Sequence, residues 1–237
     1  MSAAGALGAA HRRRLREVWR SAGWPCQDMV EVELLAAGLL ERVRDGDGRE
    51  SVRVTDAGIR VLAATLAKNR AARSAHEALV AEVATAMQRA GRVVWRGLSL
   101  RAPLPGPDGS TVWAVAMPDV FSIRHTTVED YAEPAVHEIK VRRADLLSDL
   151  RHADKGAAYR ALSSQCWYVL RAGIAEPDEV PAVYGVMVAR AGGLEVLRPA
   201  PRRAARVPFA VWMALARAHA EPGPDDAEQA PLAPSGP

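Results

Sequence analysis

From residue 74 to residue 220, short apolar runs of strand length alternate with stretches of helical period, and that order restricts the chain to a layered α/β architecture. A helix is expected over 74–91, with Leu79, Val80, Val83, Ala84 and Met87 on its apolar side. Ser74 is its expected N-cap, Glu77 follows three residues on, and Gly91 closes it. Then come an extended stretch (92–101), a proline-rich loop (103–109), strands at 111–123 and 134–141, a helix over 143–162 and a strand at 165–170. A hairpin at 183–197, broken at Ala191, Gly192 and Gly193, and a helix over 207–220 complete the order. The expected fold is a mixed sheet flanked by helices.

The preceding stretch, 10–72, follows another pattern. Leu15, Val18 and Trp19 recur at helical spacing, and a second helix opens near Asp28 with Met29, Val32, Leu35 and Ala36 as its stripe. Alternating runs at 39–44 and 50–55 flank Asp45-Gly46-Asp47-Gly48, a hairpin signal, and Thr55 and Asp56 can cap a helix through about residue 69. Residues 1–9 read as a flexible terminus, and 221–237, with five prolines and four acids, as a disordered acidic tail.

At 237 residues, 49% apolar and 25% charged, the chain suits a folded protein of one or two domains. No run approaches the roughly 18 apolar residues of a membrane span, and Arg12, Arg13, Arg14 and Arg16 stand where a signal peptide carries its apolar core. A cytoplasmic location with no membrane partner is expected. Cys26 and Cys166 are neither near each other in sequence nor in a zinc-ligand spacing. The net charge of +3 combines −4 on 221–237 with +7 on 1–220, a balance that permits a polyanionic partner. Of the 31 Lys and Arg residues only Lys68, Lys140 and Lys155 are lysines, so each invites the question of what arginine could not do there.

Two phrases carry chemistry. In Met117-Pro118-Asp119-Val120-Phe121-Ser122-Ile123, a Pro-Asp pair interrupts an apolar strand. In the stretch from Ala135 to Leu150, Glu138 and Lys140 are two apart and share one strand face, while Ile139 points to the other. Two carboxylates and a backbone carbonyl suffice for Mg²⁺, which keeps several waters, and a lysine beside such an ion can orient or deprotonate the attacking water.

Pro118-Asp119 followed by Glu138-Ile139-Lys140, in helix, strand, strand, strand, helix, strand order, resembles the PD-(D/E)xK nuclease superfamily over 74–170, and the stretch from Glu138 to Leu150 is similar to MmcB-like DNA-repair proteins. The resemblance implies a Mg²⁺-dependent nuclease, with Mn²⁺ as an alternative ion, that hydrolyses DNA phosphodiesters in repair or nucleic-acid processing. It implies Asp119, Glu138 and the Ile139 carbonyl as metal ligands, joined by Glu77, and Lys140 as the catalytic lysine. RecB-type members carry Gln-x-x-x-Tyr on the next helix; this chain has Lys155 and Tyr159 there, expected with Arg142 and Arg143 to contact the substrate. A homodimer is left open, because many nucleases that cut both strands act as pairs.

The stretch 34–58 resembles the later half of a winged-helix domain, yet the helix that would enter the major groove carries Asp28, Glu31 and Glu33 and no Lys or Arg. Arg42, Arg44, Arg49 and Arg53 of the hairpin are better suited to backbone contact. Plainer readings stand beside these. Glu138 and Lys140 can be an exposed ion pair, and Asp145 and Asp149 solvated or paired with Arg142 or Arg151. His125 and His137 can be structural, and Trp167 and Tyr168 part of the sheet and core. An inactive nuclease-fold module and a winged-helix transcriptional regulator are the alternative functions.

Overall fold

The computed structural model describes residues 7–222, and its chain divides into two units at Ala71/Ala72. In the first, helix α1 (Ala9–Arg20) turns Leu15 and Val18 inward. Helix α2 (Met29–Ala36) is N-capped by Asp28, whose carboxylate accepts the Glu31 amide at 2.9 Å and is held by Arg14 at 2.7 Å. Strands β1 (Leu40–Arg44) and β2 (Glu50–Val54) form an antiparallel hairpin. Asp45 closes its turn by accepting the amides of Asp47 and Arg49. Leu15, Val18, Leu34, Leu39, Leu40, Val52, Val54 and Leu62 make the core of this unit.

Helix α3 runs unbroken from Asp56 to Arg89, where two helices were expected. Residues 66–76 contain no Gly or Pro and are dominated by good helix formers, so their polarity marks a solvated helix rather than a boundary. Ser74 is therefore interior, not an N-cap. Gly91, at φ +74°, ends the helix region.

In the second unit, three stretches split at identifiable breakers. The extended stretch divides at Gly97 (φ +59°) into β3 (Arg92–Arg96) and β4 (Leu100–Pro105). The next divides at Pro118-Asp119 into β5 (Thr111–Ala116) and β6 (Val120–Arg124). After β7 (Ala135–Lys140), the expected single helix is two, α4 (Arg143–Leu150) and α5 (Ala153–Leu162). Then follow β8 (Gln165–Arg171), β9 (Gly185–Arg190), β10 (Gly193–Arg198) and α6 (Phe209–Arg217).

The main sheet is mixed, in the order β10-β9-β8-β7-β6-β3, with β7, β8 and β9 parallel; β4 and β5 form a separate ribbon. Successive residues alternate between two cores. Val120, Ile139, Val169 and Met187 pack with Leu79, Val80, Val83 and Ala84 of α3. Phe121, Val136, Tyr168 and Val186 pack with the ribbon and with Leu146, Tyr159, Leu162 and Val211 of the later helices. The unit is thus α/β, a mixed sheet covered by helices on both faces. No helix among the described residues is long and apolar enough to cross a membrane.

The terminal expectations fall mainly on residues 1–6 and 223–237, outside the described residues. Glu221 is described and is not loose: its amide donates to the Val94 carbonyl at 2.8 Å and its carboxylate meets Arg96 at 2.7 Å.

Candidate active site

The site begins with a gap in a ladder. β6 pairs with β7 only from Val120 onward, opposite His137. Two residues further along β7, the partner position falls on Pro118, which has no N–H to give the Ile139 carbonyl, and the ladder does not continue to it. The Ile139 amide faces this gap and donates instead to Asp119 Oδ2 at 2.7 Å. In a strand, the carbonyl of a residue points to the same edge as its N–H, so the Ile139 oxygen shares the gap with the Asp119 carboxylate.

Glu138 and Lys140 project from β7 toward the α4/α5 face. Their pairing at 2.7 Å is not an exposed ion pair, since the side chains are only 6% and 11% accessible. Glu138 Oε1 also accepts from Lys155 of α5 at 2.6 Å. Lys155 bonds Asp149 Oδ1 at 2.5 Å, Lys140 lies 3.4 Å from the same oxygen, and Tyr168 donates to Asp149 Oδ2 at 2.8 Å. Two lysines and two carboxylates thus form a closed, largely buried set of four. Glu138 Oε2 is buried without a hydrogen-bond partner.

Burial, and then the neighbouring Glu138 charge, push the Asp119 carboxyl above its ordinary range. Burial would do the same to Asp149, but the hydrogen bond from Lys155 and the charges of both lysines outweigh it and hold that carboxyl low. Burial would lower the Lys155 amine, but Glu138 and Asp149 outweigh it and hold the amine above its ordinary value. Tyr159 donates to the Met117 carbonyl at 2.9 Å, which ties α5 to the Pro118-Asp119 turn; burial and the Glu138 charge raise its hydroxyl.

Glu138, Lys140, Lys155 and Asp149 are thereby linked by direct contacts through the two lysines, Asp149 being a member that the sequence assigned to solvent or to Arg142 or Arg151, while Asp119, on the Ile139 amide, feels the charges of Glu138 and Lys140 without a direct bond to either. Only helical neighbours were legible from spacing, whereas Lys155 reaches Asp149 across the break between α4 and α5. Glu77 is exposed and its carboxylate lies 3.6 Å from His76 Nδ1. It lines, with His76, Val80, Arg96, Gly97, Asp119 and Glu221, a cleft of about 380 Å³. His76 Nε2 lies 3.4 Å from Asp119 Oδ2, a neighbour the sequence did not reveal. Arg143 is engaged elsewhere, by Glu179 at 2.8 and 2.5 Å. Arg142 has partners of its own. His137 is buried against Trp167, ring on ring at 6.3 Å. His125 is exposed.

Among the described residues no group of three or more His, Cys, Asp or Glu side chains is arranged to hold a metal ion. The donor set to weigh is two carboxylates and a carbonyl. It suits Mg²⁺, which takes oxygen ligands and retains water, and the unpartnered Glu138 Oε2 and the unfavourably placed Asp119 charge are both features that a cation would relieve. No family model matches the chain, and no curated protein does. One solved structure, a protein of unknown function from Silicibacter pomeroyi (SPO1766), is similar at 21% identity and a TM-score of 0.36, over 55% of this chain and 73% of that one.

Proposed function

We propose that the second unit is a Mg²⁺-dependent nuclease of the PD-(D/E)xK type, with Mn²⁺ as an alternative ion, that hydrolyses DNA phosphodiester bonds. The observation that carries the reading is the strand gap, where Asp119 is bonded to the Ile139 amide while Glu138 and Lys140 leave the same strand beside it. Asp119, Glu138 and the Ile139 carbonyl would hold the ion, and bound there it would supply a Lewis acid that acidifies water and polarises a phosphoryl oxygen. Lys140, fixed by Glu138 and near Asp149, orients the attacking water and neutralises charge developing on the phosphate. Lys155 balances Glu138 and Asp149, a charge role in place of the expected substrate contact. Tyr159 holds the turn that presents Asp119.

The order helix, helix, hairpin, helix in the first unit supports reading it as a winged-helix-like domain. Within this reading it contacts the DNA backbone through hairpin arginines, since α2 exposes Met29 and Val32 and bears no cation.

Cleavage of plasmid and of labelled single-stranded DNA by the full chain in Mg²⁺ tests the proposal. Asp119→Ala and Lys140→Ala should each lose about a hundredfold or more of the rate while retaining the circular dichroism of the wild type. Equal cleavage by either variant refutes the assignment. A folded wild type that binds DNA but cuts none in either ion would instead identify an inactive nuclease-fold module.

A further inference from the structure

The cleft beside Asp119 contains one arginine, and that arginine is already occupied. Arg96 ends β3, and the next residue, Gly97, donates its N–H to the Asp119 carbonyl at 3.2 Å, so Arg96 is fixed one residue from the candidate metal ligand. A Cβ on Gly97 would meet nothing within 4 Å, so the approach to this turn is open. Glu221 reaches into the cleft from the end of the described chain and meets the Arg96 guanidinium at 2.7 Å. Its backbone is held there from two elements: its amide donates to Val94, and Gln88 of α3 donates to the carbonyls of Glu221 at 3.1 Å and Pro222 at 2.6 Å. A carboxylate is thus delivered by an anchored segment to the guanidinium that lines the cleft with Asp119. The other acids of the cleft, Glu77 and Asp119, would repel a polyanion, so Arg96 is the group there best suited to a phosphate.

We propose that Arg96 is a phosphate-binding residue adjoining the cutting site, and that Glu221 is its intramolecular occupant, displaced when a phosphate of the DNA strand takes the guanidinium. The proposal rests on the nuclease reading. Glu221 thereby lowers the affinity of the cleft for any polyanion that cannot outcompete a tethered carboxylate.

The test is fluorescence anisotropy of a short labelled DNA duplex with the full chain in Ca²⁺, at several salt concentrations, alongside cleavage in Mg²⁺ by the same preparations. Glu221→Gln should bind about two- to fivefold tighter, the range expected for release of one partly exposed ion pair. Arg96→Ala should bind more weakly and lower the slope of log affinity against log salt by about one, whereas Arg96→Lys should keep most of that slope. In the Arg96→Ala background, Glu221→Gln should add nothing. The inference is overturned if Arg96→Ala binds with wild-type affinity and slope, or if Glu221→Gln gains as much without Arg96 as with it, which would indicate general repulsion. If either result accompanies cleavage that Asp119→Ala abolishes, the inference alone fails. If the wild type neither binds nor cleaves, the nuclease reading fails with it. Thermal unfolding of each variant separates lost binding from lost folding.

Discussion

His137 lies in the middle of β7, fully enclosed, with Nδ1 unpartnered and Trp167 stacked beside it. Burial pushes its imidazole down to about 3, well below its value in an unfolded chain. Below about pH 6.5 the unfolded chain takes up a proton that the folded chain refuses, so stability is full above that pH and lost as the pH falls toward 3. The loss should approach about 1.4 kcal/mol per pH unit from this residue, and His137→Leu should flatten that limb in urea titrations run from pH 7 to pH 4. Asp149 is the other residue whose removal should be felt. Asp149→Ala strips Lys155 and Tyr168 of an acceptor and should cost about 1–3 kcal/mol in the same assay, with Asp149→Asn costing less. The face shared by Glu138 and Lys140 was legible from a period of two alone. The role of Asp149 was not, because an ion pair across a helix break has no sequence period.

Helices and strands were legible as types more than as units. Apolar spacing places α3 at both of its ends, but the polar, proline-free stretch between them has no capping geometry that a sequence could display without ambiguity. Arg73→Pro should therefore cost about 3 kcal/mol by denaturant unfolding, a penalty that a position between two separate helices would escape. The strands divide at Gly97 and Pro118; the interruption at Pro118 was read from the sequence and the one at Gly97 was not, and their consequence, a second small sheet, depends on pairing partners distant in the chain. β9 enters the sheet at Gly185, where an added Cβ would strike the Trp167 ring and come within 2.6 Å of the Ala200 nitrogen. Gly185→Ala should destabilise by about 1–3 kcal/mol, since backbone as well as a ring would have to yield.

For the molecule as a whole, folding places Asp119 and Glu138 together in a poorly hydrated place where their charges oppose each other. A cation that binds only the folded chain should raise the unfolding midpoint with its concentration, so Mg²⁺ should stabilise the wild type in differential scanning fluorimetry, EDTA should reverse the shift, and Asp119→Ala should show none. The +7 carried by residues 1–220 was legible as arithmetic, but its distribution was not: Arg14, Arg96 and Arg143 each face a carboxylate and are not free cations. Charge counting alone therefore overstates the attraction for a polyanion.

The missing hydrogen bond opposite Pro118 gives the protein a built-in spectroscopic probe. Because the Ile139 amide proton rests on the Asp119 carboxylate rather than on a backbone carbonyl, its resonance should respond to whatever that carboxylate binds. Protonation of Asp119 or its recruitment by an ion weakens the hold on this proton, which should move its signal upfield and hasten its exchange with solvent. The neighbouring amides of β7, bonded into the ladder, would serve as the internal reference.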